Sequence, residues 1–344
     1  MPDISLLEPV VLRGVVEKFT TPETLVMLGR VPQTPWPFPS VTWDVIRGSR
    51  MVAKPNVPNS EAHIVPQLGR SQESAAFVYL REKQVFQPTT LHWLRAPGTL
   101  AGRYAEEAVM REVAALNMRF DSFAEFMIWG AMKGLLVLDY PDVQATVDYK
   151  MPASHKPFPG TGWDTATPMQ IVGDIRAWKR LISRDGRVPA REVFATELTL
   201  SYIFDSFATS SLDGGATGVL GSLLSDRMKD QYYTQGVLPG FMGLEWRTVE
   251  TVYEDDEGVS TLFVPDNALF MGNYTDQRPI ELMVGPTADD EAPANFTGKF
   301  AKTWKEKDPS ARQYLLEWNI LPVITRPEQM LYVEDVTATA EPLP

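Results

Sequence analysis

Between Pro97 and Pro141 the chain contains no proline, and within that gap Ala105, Val109, Val113, Leu116, Phe120, Phe123, Met127 and Ala131 recur every three or four residues. The spacing predicts a single helix with an unbroken apolar face over about seven turns. Glu107 and Arg111 form a favourable i,i+4 pair on its outer side, and Gly134 supplies a stop. At ~1.5 Å per residue, roughly 30 residues span about 45 Å, far beyond an average helix. It reads as a spine.

Elsewhere the period changes. Val143, Ala145, Val147 and Tyr149 alternate with Asp142, Gln144, Thr146 and Asp148, which predicts a strand with one buried face. "VTWDVIRG" and "AAFVYLREKQVF" read as two strands joined by a Pro/Asn/Gly-rich excursion over 54–69. They predict a projecting hairpin with Phe77, Tyr79 and Val85 on its apolar face, marginal unless it lies on another surface. Upstream, "SLLEPVVLRGVVEKF" and "TPETLVML" read as short amphipathic helices, the second capped by Thr21 with Pro22 in its first turn. Pro32, Pro35, Pro37 and Pro39 in "VPQTPWPFPS" then forbid any long hydrogen-bonded element. Trp36 and Phe38 are unusual cargo for a free linker, so this extended arm is expected to dock on something.

A Pro/Gly-rich link over 152–162 marks a domain boundary. Beyond it, Thr167-Pro168 opens a helix with an Ile171, Ile175, Trp178 and Ile182 stripe that ends at Gly186. "REVFATE" reads as a strand, "LTLSYIFDSF" as a helix and "DGGATGVLGS" as a glycine loop. A hairpin turning at "EDDEG" feeds "FVPDNALFMGNY", whose Pro265, Asp266 and Asn267 form a turn between two apolar runs. From Asn295 onward "QYLLEWNILPVIT" and "QMLYVEDV" read as strands returning to the first domain.

The 344 residues give room for about two domains. With 44% hydrophobic and 22% charged residues the chain is an ordinary globular one. No cysteine is present, which excludes disulfides, thiolate metal sites and cysteine nucleophiles. No apolar run approaches the ~18 residues a membrane span needs, and "MPDISLLEPV" is no signal peptide, so a cytoplasmic origin without membrane association is expected. A net charge of −12 argues against tight binding to phosphate backbones and leaves room only for weak contact with nucleic acid.

Candidate chemistry is sparse. Gly298-Lys299 lacks the first glycine of a phosphate-binding loop, and Gly215, Gly218 and Gly221 do not make a dinucleotide fingerprint. His63, His92 and His155 have no i+4 partner for zinc. Glu254-Asp255-Asp256-Glu257 lacks EF-hand spacing, and no G-x-S-x-G elbow occurs. No catalytic residue, metal site or cofactor is expected; an enzyme with an unrecognised site is the alternative of a different class.

An arm, a long hairpin, a spine helix, an inserted domain and returning strands, in that order, resemble the major capsid proteins of tailed phages. More narrowly, "FVPDNALFMGN", "DPSARQYLLEWNILPVITRPEQMLYVEDV" and "LREKQVFQPTTL" resemble segments of the phage lambda major head protein family. The resemblance runs the length of the chain and departs most in the arm and in the glycine loop 213–221. It implies an α+β Hong Kong 97-type fold: N-arm 1–40, E-loop 41–92, P-domain with spine 93–164, A-domain 165–294, and return strands 295–344.

By the same resemblance the subunit forms hexamers and pentamers of an icosahedral shell around double-stranded DNA, assembled in the host cytoplasm. A separate scaffolding protein (none being fused to the chain), a portal and a decoration protein are the expected partners. Trp36, Phe38, Trp43, Lys54, Phe77, Tyr79 and Val85 are the expected subunit-interface residues. Lys54 is placed for a covalent cross-link of the kind some relatives make, although the lambda-like branch implies none. Pro265, Asp266 and Asn267 are expected to shape the A-domain, not to react. An encapsulin-type compartment, less similar at "PDN", shares the fold and is the nearer alternative.

Overall fold

The structure, a computed structural model, describes residues 24–46, 70–86, 100–140, 143–212, 237–254, 258–274, 276, 278–293, 295–307 and 311–338. The first expected helix, the Thr21-Pro22 cap, Lys54, the glycine loop and residues 255–257 of the acidic turn lie outside them. The chain begins with β1 (Gln33–Pro35), β2 (Ser40–Ile46), β3 (Arg70–Ala76) and β4 (Val78–Phe86). Then come α1 (Leu100–Met132), β5 (Leu135–Tyr140), β6 (Val143–Asp148), α2 (Pro168–Gly186), β7 (Glu192–Ala195) and α3 (Glu197–Leu212). Short strands follow: β8 (Val237–Phe241), β9 (Leu244–Thr248), β10 (Val252–Glu254), β11 (Ser260–Leu262) and β12 (Leu269–Gly272). The last are β13 (Ile280–Val284), β14 (Phe300–Glu306), β15 (Ala311–Ile324) and β16 (Met330–Val333).

Packing divides the chain into two units. One takes its described residues from Met1–Val41, Ser74–Ile128 and Glu281–Val323, the other from Thr42–Glu73, Trp129–Ile280 and Ile324–Pro344. In the first unit a mixed sheet runs β1-β13-β15-β14, with β4 on β15 as well. β15 is buried almost throughout, as its near-continuous apolar run requires of a strand covered on both faces. The sheet is bonded to α1, whose Val109, Val113, Leu116 and Phe120 are buried as the spacing predicts. Lys299, just before β14, donates to Asn117 (2.7 Å) and Asp121 (2.6 Å) of α1. Two buried polar side chains and a half-buried lysine thereby satisfy one another. α1 ends at Gly134, whose φ of +82° no β-carbon-bearing residue adopts cheaply.

The second unit holds the sheet β16-β12-β7-β9-β8. α2 starts as predicted, with a capping box between Thr167 and Gln170, and buries its Ile171, Ile175, Trp178 and Ile182 stripe. Trp178 stacks on Trp163 at 5.6 Å.

Three expectations fail in whole or in part. Residues 24–30 form hydrogen-bonded turns and not a helix, because the buried Glu125 carboxylate takes the amides of Met27 (2.9 Å) and Leu28 (2.6 Å). Of the expected buried face Val143, Ala145, Val147 and Tyr149, only Tyr149 is buried, Ala145 and Val147 being partly covered and Val143 exposed; among the described residues β6 pairs with β5 alone, in a two-stranded ribbon. β16 does not return to the first unit's sheet with β15, but pairs antiparallel with β12 in the second.

Candidate assembly surfaces

The proline-rich arm is extended, and its middle is held as β1 parallel to β13. Leu282 N–H donates to Pro32 O (3.0 Å) and Trp36 N–H to Val284 O (2.8 Å), one bond on either side of the short strand. The Trp36 indole N–H donates to Ser40 O at 2.9 Å, and its ring meets Phe38 edge-on at 5.9 Å. The result is a fixed aromatic corner. Phe38 is 60% exposed there.

Trp43 does not join that corner. Val41, Trp43 and Val45 share one face of β2 and all are buried, with Trp43 6.1 Å from the Tyr149 ring. The subunit's own core takes it, unlike the exposed residues of the expected interface. The period-2 alternation of this strand carried that signal in the sequence.

The expected hairpin is also rearranged. β2 and β3 pair as a two-stranded ribbon. At Phe77 the chain breaks register, and β4 pairs antiparallel with β15 over nine residues, from Val78↔Ile320 to Phe86↔Arg312. Phe77 lies over Gly285, where an added β-carbon would come within 2.7 Å of its ring. Tyr79 and Val85 are therefore anchored on a sheet, yet remain 40% and 44% exposed.

Beneath Tyr79 sits an ion-pair network that sequence reading missed, since its members are far apart in the chain. Arg81 lies 3.8 Å from both Asp289 and Glu317, and Lys302 is 2.5 Å from Asp289. Glu317 also accepts from Ala288 N–H at 3.0 Å. Burial, then its hydrogen bond to the Glu317 carboxylate, raises the Tyr79 phenol above its ordinary range. Burial pushes Asp289 upward, but Lys302, the Glu291 amide and Arg81 outweigh it and hold the carboxyl below its ordinary value. Asp289, Asp290 and Glu291 converge closely enough to suggest a cation site, but Lys302 already occupies that role.

At the Pro-Asp-Asn segment, Asn267 takes φ +63° and Ala268 N–H donates to Pro265 O at 3.1 Å. The Asn267 side-chain oxygen accepts from the Tyr202 hydroxyl (3.0 Å) and its carbonyl from Val336 N–H (2.8 Å). Asp266 is exposed. These bonds hold a bend and offer no reacting group. His155 is buried between Met330 O (2.6 Å) and Asp185 (3.4 Å).

A 33-residue helix bonded to a mixed sheet, an extended arm paired at the sheet edge and a second five-stranded sheet unit make up an α+β fold of the Hong Kong 97 type. A prophage capsid protein from E. coli CFT073 shares the fold with a TM-score of 0.61 at 16% identity, over 96% of this chain and 99% of that one. A phage-related protein from Bordetella bronchiseptica RB50 does so at 0.50 and 11%, over 97% and 99%. No curated protein sequence matches the chain. The chain belongs to the family described as phage major capsid protein E, which it matches over residues 10–333. It is a phage major capsid protein, a shell-forming structural protein. That membership favours the phage shell over the encapsulin-type alternative.

Proposed function

We propose that this subunit closes hexamers and pentamers into an icosahedral head around double-stranded DNA, assembling in the host cytoplasm with a separate scaffolding protein and a portal. The observation that carries the reading is the aromatic corner of the arm. Phe38 is 60% exposed while Trp36 is fixed by two hydrogen bonds, and rigid, exposed aromatics are what interface centres are made from. Tyr79 and Val85 on β4 add a second apolar surface, and Phe77 anchors the start of that strand. The N-arm over 1–40 and the E-loop over 41–92 are the parts assigned to neighbouring subunits. Obligate contacts of this kind bury about 2,000 Å² or more. A decoration protein, and not a covalent cross-link through Lys54, is the proposed reinforcement. Assembly consumes no nucleotide and needs no metal.

Electron microscopy of the full-length protein, expressed with its scaffold or concentrated alone, tests the proposal. Closed shells or capsomer-sized rings are expected, and the particles should run as single subunits after boiling in detergent. A monodisperse monomer would overturn the assembly reading, and a ladder of linked subunits the absence of cross-links.

A further inference from the structure

The chain is acidic overall, with a net charge of −12, yet one face of α2 is not. Arg176, Lys179, Arg180 and Arg184 line an open depression of about 1000 Å³, together with Leu181 and Met242. They stand at i, i+3, i+4 and i+8, so the three arginines climb the helix in steps of about 6 Å.

Both acids of the same helix already have partners, Asp185 within the stripe itself. Asp174 accepts from the Trp163 indole (3.2 Å) and Gly160 N–H (3.4 Å), and Asp185 is held by Arg184 (2.9 Å) and His155 (3.4 Å). Lys179 is pinned by its bond to Met242 O. Among the described residues, neither Arg176 nor Arg180 has a hydrogen-bond or ion-pair partner.

We propose that this stripe of α2 is where the subunit touches the backbone of duplex DNA; the inference rests on the capsid reading above and locates its DNA contact. The chemistry favours phosphate over an acidic protein segment. A protein interface is built round large, often aromatic, apolar anchors, whereas the apolar lining here, Ala177, Leu181 and Met242, includes no aromatic residue and is surrounded by four cations. Phosphate contacts need cations alone, and arginine forks suit them best. With the rest of the molecule repelling DNA, the contact is weak and strongly salt-dependent, which lets the packaged DNA slide.

The test uses the full-length protein as unassembled capsomers, a short fluorescent DNA duplex and the double variant R176Q/R180Q, whose changes are both on the surface. With Lys179 and Arg184 already engaged, a contact through Arg176 and Arg180 should lose about 12-fold in affinity between roughly 50 and 200 mM salt, whereas the variant should show almost no salt dependence. An unchanged salt dependence in the variant, or no DNA binding by the wild type, would overturn the proposal. So would binding of polyglutamate, but not DNA, through Arg176 and Arg180; the stripe would then serve an acidic protein. Microscopy of both proteins under assembly conditions separates the two readings. Absence of shells in the wild type sinks the capsid assembly reading, whereas normal shells with an unchanged salt dependence sink only the DNA site.

Discussion

Glu125 decides the path of the chain before the arm. It lies on the spine, is 1% exposed, and accepts the amides of Met27 and Leu28. Each buried amide left without an acceptor costs about 1–3 kcal/mol, so E125A should lower the unfolding free energy by at least about 2 kcal/mol. Denaturant titration of the unassembled protein reads this directly, and an unchanged midpoint would mean that residues 24–30 are held by packing alone. Asp289 makes a pH prediction. Its carboxyl is held below its ordinary value by Lys302, the Glu291 amide and Arg81 against the opposing effect of burial. Its contribution is therefore fully present above the ordinary carboxylate range of about 4 and is lost as pH falls through the lower folded value. In D289N the urea midpoint should be lower than in the wild type at pH 6, with the gap closing as the pH drops toward 3. A gap that stays constant with pH would show that the charge is not what matters.

At the level of elements, the join between β3 and β4 depends on one glycine. Gly285 leaves room for Phe77 to close over it, and a β-carbon there would stand 2.7 Å from the ring. G285A forces the aromatic away, at a cost of about 1–3 kcal/mol for overpacking, and should lower Tm. Shortening the intruding side chain in G285A/F77L should recover part of the loss, because contacting residues are energetically coupled. Additive losses in a double-mutant cycle would remove Gly285 from this role. The spine and α2 were legible as elements from spacing, caps and stops, since a 3.6-residue period over many turns has few other readings. The β5–β6 ribbon shows the limit of that logic. Val143, Ala145, Val147 and Tyr149 alternate as a half-buried strand would, but in the ribbon with β5 only Tyr149, just past the strand, is buried.

For the whole molecule, the arm is the element to break. W36A/F38A removes the aromatic corner while β1 keeps its backbone bonds to β13, so the subunit should fold with a near-normal Tm and fail to assemble. Large aromatics at an interface centre are worth a few kcal/mol each. Sedimentation of the expressed variant checks this: shells at the wild-type yield would reduce the arm to a linker.

Local pattern was enough to establish the spine, α2 with its cap, the extended arm, the turn at Pro265-Asp266-Asn267 and the order of parts that led to a capsid fold. These depend on neighbours in sequence: period, proline geometry and side chains bonding to nearby backbone. What only the tertiary structure decided are matters of pairing across long separations. β15 took β4 onto its edge, β12 took β16, and β2 turned Trp43 into the core. The ion-pair network also joins Arg81 to residues more than two hundred positions away. A strand's pattern reports which of its faces is apolar but not which partner will cover it, because hydrophobic burial is non-directional and is satisfied only by the assembled fold.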